Sequence, residues 1–81
     1  MNPDASADEI LGAFARAARA AGLPVTPDRT RAFLTAAAAV GVTDRHGVYW
    51  AGRSTLTAEP DHLELYDRVF EAWFDGEAPR L

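Results

Sequence analysis

The sequence predicts an all-α fold, a compact bundle of about four helices over residues 7–21, 27–40, 44–56 and 60–74. Three observations predict it. Apolar residues recur at three- and four-residue spacing within each segment. Cap-forming residues, glycine or proline punctuate the segment ends. Nowhere do apolar and polar residues alternate over four or more positions with the β-branched enrichment that a strand needs. At 81 residues the chain is expected to form one domain, residues 1–81, with a flexible start at 1–5 and a tail or linker start at 76–81.

Each helix has its own local argument. Ser6-Ala7-Asp8-Glu9 matches a capping box, so the first helix is expected from about Ala7. Ile10, Phe14, Ala17, Ala18 and Ala21 form its apolar face, and Gly22 suits a left-handed C-terminal cap. Leu23-Pro24-Val25 reads as an extended link, because the residue before proline avoids the helical region. Thr26, Pro27 and Asp28 then supply an N-cap, a first-turn proline and a negative charge at the positive helix end. The second helix runs to Val40 along Phe33, Leu34, Ala37 and Val40, and stops at Gly41.

The third helix is expected to be capped by Thr43, with Asp44 in its first turn, and to continue to Leu56. It is the weakest by propensity, since Gly47 and Gly52 each cost about 0.8–1 kcal/mol relative to alanine. Either packing holds it, or the glycines make room for another element. Pro60-Asp61 opens the fourth helix, where Leu63, Tyr66, Phe70 and Trp73, widened by Leu65, Val69 and Phe74, imply burial against more than one partner.

Composition narrows the function. Seventeen residues are alanine, so the 48% hydrophobic content overstates the core. All eight basic residues are arginine, and the absence of lysine removes a Walker A motif. The alanine–arginine bias without lysine points to a GC-rich bacterial source. No cysteine is present, which excludes disulfides and thiolate metal sites. The net charge of −4 disfavours broad contact with nucleic-acid phosphates, and no run approaches the roughly 20 apolar residues that span a bilayer. No basic segment and apolar core follow Met1, so a cytoplasmic location is expected. The acid is concentrated late: residues 57–81 carry seven acidic groups against two arginines.

No catalytic constellation is apparent. His46 and His62 match no H-x-x-x-H or H-E-x-x-H pattern and are expected at the surface. Ser6 and Ser54 lack the setting of an activated serine. Asp61, Glu64, Asp67 and Glu71 line one helix face without a calcium-loop pattern, and read as a solvated face or a docking stripe for a basic surface. Arg53, three residues after Trp50 and four after Tyr49, is placed to stack on a ring or to fork onto a carboxylate of the fourth helix. No catalytic residue, cofactor or metal is therefore assigned.

The stretch Gly41-Val-Thr-Asp-Arg-His-Gly-Val-Tyr-Trp-Ala-Gly-Arg-Ser-Thr-Leu56, the preceding Phe14-Ala-Arg-Ala-Ala-Arg-Ala-Ala-Gly-Leu-Pro-Val25, Glu59-Pro60 and Tyr66-Asp67-Arg68-Val69-Phe70 form a recognisable set. Together they resemble the N-terminal helical region of CoxE-like von Willebrand factor A (vWA) proteins. Val48–Ala51 and Arg53–Leu56 are the most specific part of the likeness. Gly52 and Tyr66 depart mildly from the family pattern, and the D-x-S-x-S metal-site motif of the vWA domain does not occur in this sequence. The resemblance implies a helical recognition domain working beside MoxR-type AAA+ ATPases in the maturation or remodelling of target complexes.

These readings give the expected function, a non-catalytic protein-interaction or adaptor module. Tyr49, Trp50, Arg53, Trp73 and Phe74 are its candidate partner-binding residues. Two alternatives stay open: a module that self-associates through the alanines of the second helix, and a small helix-turn-helix regulator with Arg45, His46 and Arg53 on its recognition helix.

Overall fold

The computed structural model describes residues 7–76. Among these residues the chain forms four α-helices and no strand: α1 (Ala7–Ala21), α2 (Pro27–Val40), α3 (Arg45–Leu56) and α4 (Asp61–Glu71). A π-helical turn over Ala72–Gly76 follows α4. The fold class is the expected one. The readings made for Ser6, for residues 1–5 and for residues 77–81 lie outside the described residues.

The helix ends follow from local chemistry. Gly22 and Gly41 take φ of +118° and +108°, a region that other residues rarely adopt. The Thr26 hydroxyl accepts from the Arg29 backbone N–H at 3.1 Å, as expected of an N-cap. The third helix corrects its expected cap. Asp44, not Thr43, is the N-cap, and its carboxylate accepts from the Gly47 N–H at 3.1 Å. At α4 no side chain of Pro60 can cap, and His62 serves nearby instead: its Nδ1 faces the Ala58 and Glu59 N–H groups at 3.1 and 3.2 Å. His62 is half-buried and helps fold its own turn, a more structural place than the solvated one expected. The regular part of α4 ends before the expected residue 74. The Ala72 N–H is shared between the carbonyls of Arg68 and Val69, and the next turn widens to the π form.

The core gathers around Phe14, which is fully buried. Five rings surround it: Phe33 at 5.7 Å, Tyr66 at 6.1 Å, Phe70 at 5.8 Å, Trp73 at 6.2 Å and Phe74 at 5.2 Å between centroids. Their edge-on and tilted arrangements are those that aromatic quadrupoles favour. Leu11, Ala15, Ala18, Leu23, Ala37, Val48 and Leu56 fill the remaining space. Besides Trp73, which is 40% exposed, two further large residues assigned to the apolar faces prove to be exposed. Ile10 is 42% exposed because the neighbouring Leu11 takes the inward position, and Val40 is 50% exposed at the end of α2.

The two glycines of α3 explain how a weak helix becomes the middle of the bundle. A methyl group on Gly47 would lie 2.8 Å from Val40 Cγ2 of α2. One on Gly52 would overlap the Tyr66 hydroxyl and come within 3.0 Å of its Cζ. Each glycine thus lets one neighbouring helix close onto α3. Arg29 adds a tie from α2, reaching the Thr55 and Thr57 carbonyls at the C-terminal end of α3 at 3.4 and 3.5 Å.

Helix propensity and packing make opposite predictions for Gly52→Ala. Propensity alone favours alanine by about 0.8–1 kcal/mol. The contact with Tyr66 predicts a net loss of about 1–3 kcal/mol, as for other overpacked sites, measured by urea denaturation.

Candidate functional site

The face of α3 that α2 and the core leave uncovered carries His46, Tyr49, Trp50 and Arg53 at helical spacing. Asp67, Phe70 and Glu71 of α4 stand opposite. Between them lies an open cleft of about 310 Å³, lined by Arg45, His46, Tyr49, Trp50, Asp67, Phe70 and Glu71.

Tyr66 sets the spacing of this cleft from below. It is fully buried, and its hydroxyl donates to the Tyr49 carbonyl at 2.8 Å. Above it, the Tyr49 hydroxyl donates to the Asp67 carboxylate at 2.6 Å, a short charge-assisted bond joining the two helices. Arg53 completes the chain by donating to the Tyr49 hydroxyl at 3.4 Å. Its guanidinium also lies over the Trp50 ring, 4.8 Å from the centroid. Arg53 therefore stacks on a ring, one of the two roles its position suggested, but it forks onto no carboxylate among the described residues and reaches the fourth helix only through Tyr49.

Trp50 is the most exposed large hydrophobic side chain of the cleft, at 48%. It is also fixed: its indole nitrogen faces His46 Nε2 at 3.1 Å, and Tyr49 meets it edge-on at 5.2 Å. On the far wall, Arg45 sits over Phe70 at 5.0 Å. The two arginines of α3 are thus engaged with aromatic rings of this cleft.

The five expected residues divide into two groups. Tyr49 and Trp50 line the cleft, and Arg53 contacts both of them beside it. Trp73 and Phe74 lie a turn beyond it and pack on Phe14, with Phe74 half-buried and Trp73 40% exposed. A run of ring contacts still links the groups, from Tyr49 to Phe70 at 5.2 Å and from Phe70 to Phe74 at 4.6 Å. Sequence reading missed Asp67 as a partner of Tyr49, having placed it in an acidic stripe. The rest of that stripe is exposed, with Glu64 paired to Arg68 at 3.0 Å.

Proton affinities follow the same geometry. The Asp67 carboxylate holds the Tyr49 proton and raises its pKa, aided by partial burial and opposed by Arg53. Burial raises that of Tyr66 much further, with a smaller push from Tyr49 and Asp67. No group of three or more His, Cys, Asp or Glu among the described residues is placed to hold a metal ion. No helix among them is long and apolar enough to cross a membrane.

The fold and the cleft define a small helical-bundle domain whose third and fourth helices share an ordered aromatic edge. Residues 11–77 match the family model described as the CoxE N-terminal helical bundle domain, and the chain belongs to that family. No curated protein and no solved structure is significantly similar to it.

The chain has only two tyrosines, so the link is open to direct titration. Both pKa values are raised, which makes the tyrosine contribution to stability complete below about pH 10 and lost as pH rises through the folded-state values. Phenolate absorbance near 295 nm is expected to stay low at about pH 10 in the folded protein and to reach half its final value there in urea. About a quarter of the final absorbance at that pH in the folded protein, with Tyr49 half-ionised while the buried Tyr66 stays neutral, would contradict the Tyr49–Asp67 bond.

Proposed function

We propose that this domain is a non-catalytic adaptor that recognises a protein partner through the α3–α4 edge. Trp50 carries the reading. A large ring half in solvent, yet clamped by His46, Tyr49 and Arg53, offers apolar area with little conformational entropy left to lose on binding. Tryptophan, tyrosine and arginine are also the residue types that dominate interface energetics. The cleft has aromatic walls and charges of both signs but no arrangement of nucleophile, base and oxyanion donors, so recognition fits it better than chemistry.

Membership of the CoxE N-terminal family supports, as part of this proposal, a partner of the class that the resemblance implies. A MoxR-type AAA+ ATPase, or the target complex such an ATPase remodels, is the partner expected of a CoxE-like protein. Trp50→Ala is expected to weaken binding to that ATPase or its target by at least about tenfold in a pull-down or calorimetric titration, a hot-spot effect. Circular dichroism should be unchanged, because the substitution lies outside the buried core. Undiminished binding by Trp50→Ala and Arg53→Ala, with the fold intact, would remove this surface from the account.

A further inference from the structure

A second groove lies between α1 and α2, away from the cleft. It has a volume of about 350 Å³, an apolar floor that includes Val25, Pro27 and Leu34, and a rim that includes Arg16, Arg19 and Arg31. In a chain of net charge −4, three of the eight arginines converge here. Arg16 and Arg19 are exposed and three residues apart on one helix, where like charges repel. Neither has an ion-pair or hydrogen-bond partner among the described residues. Arg31 has only Asp28, at 3.3 Å between largely exposed side chains. The N-terminal end of α2, at Thr26 and Pro27, adds its positive dipole end to the same rim.

We propose that this groove docks an acidic amphipathic helix of a partner protein, with apolar side chains on its floor and carboxylates on Arg16, Arg19 and Arg31. The apolar floor favours a protein segment over a bare anion, and the guanidinium forks favour carboxylates. A second copy of this chain is a poorer occupant. Its acidic helix α4 exposes no large hydrophobic side chain to fill the floor, Glu64 is already paired and Asp67 is held by Tyr49.

The test is a titration of nitrogen-15-labelled protein with a synthetic peptide of about 15 residues, long enough for a short helix, with a leucine stripe flanked by glutamates. Amide shifts are expected at Arg16, Arg19 and from Val25 to Leu34, and not around Trp50. Arg16→Glu combined with Arg19→Glu, both at exposed positions, should weaken binding at least about tenfold with an unchanged circular dichroism spectrum. The same peptide with glutamine in place of glutamate should bind as weakly. Several results would overturn the proposal: no shifts with the acidic peptide, equal binding by the glutamine peptide or the double variant, or shifts centred on the α3–α4 cleft. So would self-association of the free protein that the double variant abolishes, since the groove would then belong to a second copy. Trp50→Ala should leave this titration unchanged, so its outcome is separate from that of the adaptor reading.

Discussion

The arrangement of the bundle depends on one close approach, the Tyr66 side chain lying directly on Gly52. The phenol has room there only because α3 carries no Cβ at that point. The approach lets the buried Tyr66 hydroxyl reach the Tyr49 carbonyl, so a polar atom in the core is satisfied and not stranded. With α4 seated in this way, Tyr49 meets Asp67, Arg53 meets Tyr49, and Trp50 is left standing at the rim. The glycine gives up helix propensity, and the return is a fixed distance between the two helices that bear the aromatic edge.

Small and large side chains divide the work of a thin core. The alanines of α1 and α2 add little buried area themselves but allow backbones to approach, while Phe14 collects rings from α2, α4 and the π-helical turn. So few large groups make each one consequential, because a domain of this size buries a smaller share of its surface than a larger one. The charges divide as well. Arginines cluster around α1 and α2, acids along α4, and the candidate cleft brings Arg45 of α3 together with Asp67 and Glu71 of α4, with Arg53 beside it over the Trp50 ring.

Most of the fold was legible because its signals are local. The glycines at 22 and 41, the Thr26 cap and the helical periods each act within a turn or two of chain, and the observed helix bounds follow them. Ile10 and Leu11 were not separable in that way. Adjacent residues on a helix point about 100° apart, and only the packing of the bundle decides which turns inward. The third-helix cap fell between Thr43 and Asp44, two competent neighbours. The candidate site was half legible: Tyr49, Trp50 and Arg53 share a face by spacing alone, whereas the bond from Tyr49 to Asp67 spans 18 residues and two helices, and no spacing rule reports it. Gly52 carried the missing signal in plain sight, as a costly residue in a helix that formed nonetheless.

Because the contact between Gly52 and Tyr66 positions everything above it, its direct observation tests the account most sharply. In the proton nuclear Overhauser spectrum, one Gly52 Hα should show strong cross-peaks to the Tyr66 ring and a ring-current shift that disappears in Tyr66→Leu. Absence of those cross-peaks in the folded protein would contradict the docking of α4 on α3, and with it the origin of the aromatic edge.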